Sequence, residues 1–366
     1  MKNILLLPVF RFGDSLTSIT IRTVEIYSRI NKKDFNFIIN LDLRTYNQID
    51  TYYYEKIKNM DQSFGYAGKN IIKLLKGFRI TLKSAKKTDY IIGETEYFYS
   101  VVYAYIIHIL ARKPLIITIH QMEPDMYQNY SLIHNKVYRF IFKRTNRLLI
   151  LNNNEIIDQF KNNFKCSLKL FKITNGVNTV SFYTIDRKKY DLIYIGNIED
   201  RKNAFLLPNI IEILKSKNKQ IKLLIISHLG EVDKLKEIIK IKHLEENVDF
   251  INYVTEEEKR EYLAQSKVMV FPTKYEGTGI VILEAMASFL PIVLFDVPSL
   301  KIFNKGVLKA TPFNLDEYVE NISLLLENEN IRRKLGENGR KEVKSRFDYK
   351  IVAGVENESI KEALNF

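Results

Sequence analysis

VMVFPTKYEGTGIVILEAMASFLPIVLF, running from Val268 to Phe295, decides how the chain is read. Val268 to Phe271 is a short apolar run with the length and β-branched character of a buried strand. Pro272 breaks it, a glycine-bearing loop follows (Tyr275-Glu276-Gly277-Thr278-Gly279), and Ile280 to Ser288 reads as an apolar helix. Ile292 to Phe295 reads as the next parallel strand. Such a strand–loop–helix–strand unit collects free backbone N–H groups and the positive end of a helix dipole at one loop, which suits a phosphate.

Two carboxylates add to this. Glu276 precedes the glycines, and Glu284 sits inside Ile-Val-Ile-Leu-Glu-Ala-Met-Ala on the helix. A buried carboxylate is costly without a partner. Sugar hydroxyls are natural partners, because an ionised carboxylate only accepts hydrogen bonds and can take two donors. A surface glutamate on a core-packed helix is the commoner fate of a lone Glu, and the residues alone leave both readings open.

The stretch resembles the E-x7-E signature of retaining glycosyltransferases of family 4, whose members read "YEGFG…LEAMA.G.P" where this chain has Tyr275-Glu276-Gly277-Thr278-Gly279, Leu283-Glu284-Ala285-Met286-Ala287 and Pro291. The resemblance implies that Glu276 faces the donor sugar, that Glu284 holds the nucleotide ribose, and that Gly277, Thr278, Gly279 and Ile280 line the sugar–diphosphate pocket. It implies the GT-B fold: α/β, two Rossmann-like doubly wound domains facing across a cleft.

The rest of the chain is compatible with that architecture. Short apolar runs at Ile4–Leu7, Phe35–Ile39, Tyr90–Ile92, Leu115–Ile119 and Leu148–Leu151 alternate with helical patterns, as in a parallel sheet wrapped by helices. The pattern lapses between Lys172 and Tyr190 and restarts with Leu192–Ile195, Ile221–Ile226 and Val248–Ile251. We place the domain boundary there. The first domain is then 1–185, joined by a returning C-terminal helix at 346–366, and the second is 186–345; the resemblance makes the first the acceptor side and the second the nucleotide-sugar side. Asn175-Gly176-Val177-Asn178 resembles the family's interdomain "NGVD" and reads as a hinge.

Further pieces carry chemistry. Gly196-Asn197-Ile198-Glu199-Asp200-Arg201-Lys202-Asn203 follows the first strand of the second domain, and a glycine at a strand end with two cations before a helix suits a diphosphate. By itself the octapeptide reads equally as a solvated turn. It resembles the family's "GR…EKG" loop: Lys202 matches the diphosphate-binding lysine, Asn197 stands where the family has arginine, and Arg201 supplies that charge. His120 ends the strand Leu115–Ile119 and matches the family histidine that points at the donor sugar. Gly13 lies in the first strand–helix loop, where the family has paired glycines. Tyr253 and Val254 follow the strand Val248–Ile251, where the family contacts the base. The catalytic set implied is Glu276, His120 and Lys202.

Composition excludes several classes. Hydrophobic residues make up 46% of 366, so the chain is not disordered or fibrous. One cysteine, Cys166, precludes an internal disulfide framework and fits a reducing compartment. Met1–Phe10 lacks a small-residue cleavage site and reads as a first strand. The longest nearly uncharged stretch, Tyr97–Ala111, is too short to span a bilayer and reads as a buried helix. No Asp-x-Asp motif occurs, which fits metal-independent chemistry without a cofactor beyond a UDP- or GDP-sugar donor.

The net charge of +13 is uneven: residues 1–185 hold 27 Lys+Arg against 14 Asp+Glu, and the remainder holds 29 of each. The first half therefore suits an anionic partner. Lys69, Lys73, Lys76, Lys83 and Lys87 project to one helical face, with Ile71, Leu75, Phe78 and Leu82 opposite. That pattern at 69–87 fits an anionic membrane surface and equally a surface helix packed on its own sheet. No aromatic–basic signature of nucleic-acid binding is present. The expectation is a cytoplasmic enzyme, peripheral on the inner membrane face, that moves a sugar to a glycan or lipid-linked acceptor. The alternatives are a non-catalytic nucleotide or membrane binder on the same scaffold and, more distantly, a sugar-nucleotide epimerase.

Overall fold

The computed structural model describes residues 1–7, 18–30, 32–41, 51–58, 60–64, 71–120, 132–145, 147–164, 169–217, 220–277 and 279–365. They form two compact units: residues Met1–Asn175 with Tyr349–Phe366, and Gly176–Asp348. The crossing points thus fall at Asn175/Gly176 and Asp348/Tyr349, where the sequence reading had 185/186 and 345/346. The outward crossing lies within the Asn-Gly-Val-Asn turn. In unit two, Val177 N–H donates to the Phe347 carbonyl at 2.8 Å, so residues up to Ser181 belong with that unit.

Unit one contains β1 (Lys2–Leu7), α1 (Ser18–Tyr27), β2 (Phe35–Leu41), α2 (Thr51–Lys58), β3 (Asp61–Phe64), α3 (Ile71–Lys86), β4 (Tyr90–Gly93), α4 (Phe98–Ala111), β5 (Leu115–Ile119), α5 (Leu132–Thr145), β6 (Arg147–Leu151), α6 (Asn154–Phe164) and β7 (Lys169–Ile173). Unit two contains β8 (Tyr190–Ile195), α7 (Leu207–Ser216), β9 (Leu223–Ile226), α8 (Val232–Ile241), β10 (Val248–Ile251), α9 (Glu256–Ala264), β11 (Ser266–Phe271), α10 (Ile280–Ala287), β12 (Ile292–Phe295), β13 (Val307–Ala310), α11 (Leu315–Glu327) and α12 (Glu329–Arg346). The last helix, α13 (Tyr349–Leu364), returns to unit one.

Both sheets are parallel, with orders β3-β2-β1-β4-β5-β6-β7 and β10-β9-β8-β11-β12-β13. Each is doubly wound, with its order reversing between β1 and β4 and between β8 and β11. The strands β3, β7 and β13 were not anticipated, and all three are sheet edges. An edge strand has a neighbour on one side only, so it needs no long apolar run and leaves a weaker pattern.

Two corrections concern unit one. The Tyr97–Ala111 segment is not a buried helix throughout: α4 buries Ser100, Val101, Ala104, Ile107 and Ala111 but leaves Tyr99, Ile106, Ile109 and Leu110 exposed. Its stripes are apolar on both sides, and only one meets the sheet. In α3, Leu75 is exposed although its spacing placed it on the packed face. Thr81 and Ala85 are buried there, with Phe78 and Leu82 partly covered. Lys69 lies outside the described residues.

Unit one is bolted by a buried ion group. Arg22 of α1 pairs with Glu356 of α13, lies 3.7 Å from Glu94 after β4, and donates to Asn175 Oδ1 at 2.9 Å and the Thr174 carbonyl at 3.2 Å. Tyr27 donates to Glu94 Oε1 at 2.5 Å. Burial and the Glu356 charge push the Glu94 carboxyl up to about 7, with Arg22 opposing. In unit two, Gly336 and Gly339 let α12 approach closely: a Cβ on Gly336 would sit 2.1 Å from the Phe289 carbonyl oxygen. Arg340 then donates to the Ala287 carbonyl at 2.5 Å and the Thr179 carbonyl at 2.7 Å, placing a cation at the C-terminal end of α10.

The Glu94 carboxyl holds its proton more tightly in the folded chain than in the unfolded one. Its contribution is therefore present below the unfolded value and lost as pH rises through about 7. Urea midpoints measured from pH 5 to 8 are expected to fall less steeply for Glu94→Gln than for wild type. Parallel curves would reject this titration.

Candidate functional site

The switch point between β8 and β11 brings together two loops far apart in sequence. Leu192 of β8 faces Val268 of β11 and Ile193 faces Met269, so both strands deliver their carboxyl ends to one place, where open α/β sheets form their sites. The loop after β8 carries Asn197, Arg201 and Lys202; the loop after β11 carries Glu276, Gly277 and Gly279.

Hydrogen bonds to main-chain groups brace the loops. Lys274 N–H donates to the Arg201 carbonyl at 2.9 Å. The Thr273 hydroxyl lies 3.1 Å from that carbonyl and 2.8 Å from the Tyr275 carbonyl. The Tyr194 hydroxyl donates to the Asn197 carbonyl at 2.8 Å, and burial pushes this phenol far up. Ser299 Oγ accepts from Glu276 N–H at 3.1 Å.

Within this frame Lys202 Nζ pairs with Glu276 Oε2, and Arg201 stands 3.8 Å from the same oxygen while pairing with Glu199 at 2.7 Å. Lys202 also lies 5.0 Å over the Phe271 ring. Gly279 starts α10 with φ +57°, and a Cβ there would come within 2.7 Å of Ile282 Cδ1 and 3.3 Å of Glu276 Cγ. Glycine therefore lets the loop turn into the helix beside Glu276. The N–H groups of Ile282 and Leu283 donate to the Gly279 carbonyl at 2.8 and 3.3 Å, and those of Ile280 and Val281 precede the first of these bonds. Arg201, Lys202, Glu276, Gly277, Gly279 and Ile280 thus form one neighbourhood of fixed cations and backbone donors.

Glu284 lies in a separate ion group. It is buried, and its Oε1 accepts from Lys259 of α9 at 2.7 Å, while Lys259 reaches Glu256 at 2.9 Å. Glu284 Oε2 is buried and has no hydrogen-bond partner among the described residues. Burial raises the Glu284 carboxyl, Lys259 opposes this, and the two carboxylates raise the Lys259 ammonium. Lys259 was not foreseen from the sequence. The legible signal nearby was the Thr255/Glu258 capping box that starts its helix.

The remaining candidates are dispersed. Tyr253 is exposed, its ring edge-to-face with His228 at 5.9 Å, and Val254 packs on the unit-two core. In unit one, His120 is buried at the end of β5. Its Nε2 lies 3.1 Å from the Glu94 carbonyl, and since a carbonyl only accepts, Nε2 carries the proton. Its Nδ1 is a buried acceptor with no partner among the described residues. Burial, with Arg22 nearby, holds the ring well below its usual value, so it is neutral. Gly13 and Thr278 lie outside the described residues. Among the described residues no cluster of three or more His, Cys, Asp or Glu is placed to hold a metal ion.

Comparison with known proteins bears on the fold and on what the chain is similar to. The model of the family "Glycosyl transferases group 1" matches residues 180–342, within unit two. The capsular polysaccharide biosynthesis glycosyltransferase CapM of Staphylococcus aureus is 26% identical over 50% of this chain and 48% of its own length. The poly(ribitol-phosphate) alpha-N-acetylglucosaminyltransferase of Staphylococcus aureus (strain COL) is 26% identical over 60% of this chain and 48% of its own length. The chain spans about half the length of these curated relatives. Among solved structures, Anabaena Alr3699/HepE in complex with UDP and glucose superposes with a TM-score of 0.78 at 16% identity, covering 100% of both chains. Sucrose-phosphate synthase from Thermosynechococcus elongatus gives 0.78 at 16% identity, again over 100% of both. The fold is GT-B, each unit Rossmann-like.

The two partners of the Glu284–Lys259 pair differ in what the removal of each leaves behind. Lys259→Met strands a buried carboxylate that already has one unpartnered oxygen, at a cost of about 3 kcal/mol. Glu284→Gln leaves Lys259 its Glu256 partner and is expected to cost about 1 kcal/mol. Urea unfolding of the two variants tests the order; equal losses would reject it.

Proposed function

We propose that the chain is a retaining glycosyltransferase of family 4, which moves a sugar from a nucleoside-diphosphate donor to a hydroxyl of a glycan on a lipid-linked or membrane-associated acceptor. The observation that carries this reading is the Arg201–Lys202–Glu276 group beside the start of α10, at the switch point of a doubly wound sheet. Two cations and free helix N–H groups there suit a diphosphate, and a carboxylate among them suits sugar hydroxyls. In support, relatives are named as acting in capsular polysaccharide biosynthesis, on poly(ribitol-phosphate), and on O-antigen chains, and a neighbour of the same fold is described with UDP-glucose.

In this reaction the bond from the anomeric carbon to the diphosphate oxygen breaks, and a bond to the acceptor oxygen forms on the same face. The acceptor proton passes to the departing diphosphate. The chain's task is to stabilise the charge that builds on that diphosphate, which falls to Lys202, Arg201 and the α10 N–H groups. Glu276, paired with Lys202 in this structure, shares that lysine with the phosphate and turns its carboxylate to the sugar. Glu284, held by Lys259, offers Oε2 to the ribose hydroxyls, and Tyr253 and Val254 flank the base. His120, neutral with Nδ1 as an acceptor, is suited to take a hydrogen bond from a sugar hydroxyl. The donor is a UDP- or GDP-sugar, and no metal is required.

A thermal-shift panel of UDP-, GDP-, ADP- and dTDP-sugars is expected to show stabilisation by one base class. Lys202→Ala should weaken nucleoside-diphosphate binding by about tenfold while leaving the free nucleoside within about twofold. Absence of stabilisation by every donor, or equal losses for nucleoside and diphosphate, would count against the assignment.

A further inference from the structure

Among the described residues no element covers the outward stripe of α4. Tyr99, Ile106, Ile109 and Leu110 are exposed at 72%, 42%, 52% and 48%, and their spacing puts them on one side of the helix. The opposite stripe is buried. Phe140 of α5 continues the surface: its ring lies 5.9 Å from Tyr105 of α4, and it is 48% exposed. A soluble surface helix ordinarily carries polar residues where α4 carries isoleucine and leucine, and a contiguous exposed apolar surface marks an interaction site.

The neighbours of α4 say what covers it. Helices α3 and α5 pack on either side, Tyr103 bonding to Thr81 of α3 at 2.9 Å and Phe98 lying 5.3 Å from Tyr138 of α5. Between them α3, α4 and α5 carry nine Lys and Arg and no Asp or Glu. Of these, Lys76, Arg79 and Lys83 on α3 and Lys136, Arg139 and Lys143 on α5 are exposed. An apolar ridge between two cationic banks matches the cross-section of an anionic bilayer surface, whose headgroups take the lysines while the ridge enters the acyl boundary. A symmetric dimer through the same ridge would set like-charged banks against each other. At 14 residues α4 is too short to cross a membrane, and no helix among the described residues is long and apolar enough to do so.

We propose that the α4 ridge, flanked by the α3 and α5 cations, docks this protein on anionic phospholipid bilayers, with α4 lying in the interface plane. This deepens the membrane-associated acceptor of the proposed function, yet the docking itself depends on no transfer step. The apolar contact comes from α4 and α5, whereas the sequence pattern had pointed to 69–87 alone.

The full chain is co-sedimented with phosphatidylcholine vesicles and with vesicles containing phosphatidylglycerol, at low and high salt. Wild type is expected to bind the anionic vesicles, less at high salt. Ile106→Glu/Ile109→Glu should lower that binding by about tenfold or more, because two charges enter the ridge. Lys76→Glu/Lys83→Glu should lower it and weaken its salt dependence. A thermal-shift measurement with nucleotide donors reports whether each variant is folded, and keeps failure of docking separate from failure of the donor reading. Binding that ignores lipid charge, or a folded Ile106→Glu/Ile109→Glu variant that binds as wild type does, would overturn the proposal. So would a wild-type dimer without vesicle binding that the same double variant dissociates, which would assign the ridge to a second copy.

Discussion

The parallel pairing of β8 with β11 is the contact on which the candidate site depends. These strands are neighbours although three strands and three helices separate their loops along the chain. Only this adjacency puts Lys202 against Glu276, 74 residues away. The loops are joined through main-chain groups, with the Arg201 carbonyl accepting from Lys274 N–H. The Thr273, Tyr194 and Ser299 hydroxyls brace the same loops, so the frame does not rest on the Lys202 and Glu276 side chains and its chemistry is separable from its scaffold.

Charge in unit two is balanced locally. Each of the two glutamates around the start of α10 has its own lysine: Glu276 with Lys202, Glu284 with Lys259. A carboxylate removed from water needs such a partner. A ligand anion must therefore compete with a carboxylate for its cation, which favours ligands that also supply hydroxyl donors to the displaced oxygen. Simple anions offer charge alone. For the donor proposed above, the pairing would add selectivity as well as stability.

Unit one handles charge differently. Its buried group, Arg22 with Glu356 and Glu94, joins α1, the return helix α13 and the residues before the crossing at Asn175. Its surplus of cations lies on helices without acidic residues, around an apolar ridge. The unevenness that composition registered as a number is, in three dimensions, a surface with a hydrophobic centre.

Much of this was legible in the residues. Central strands announced themselves as apolar runs, because a strand covered on both faces and both edges tolerates nothing else. The Tyr275–Gly279 loop and the following helix were readable because a strand end, a glycine and an apolar helix occur consecutively. Two kinds of information were not there. Edge strands such as Asp61–Phe64 escaped notice since one neighbour suffices to hold them. Partners distant in sequence, such as Lys259 for Glu284, follow from which helices the sheet sets side by side. The exposure of Ile106 and Ile109 belongs to the same category. Sequence periodicity reports which side chains are apolar and how they are spaced along a helix. Which stripe is covered depends on what packs there, and only the tertiary structure decides that.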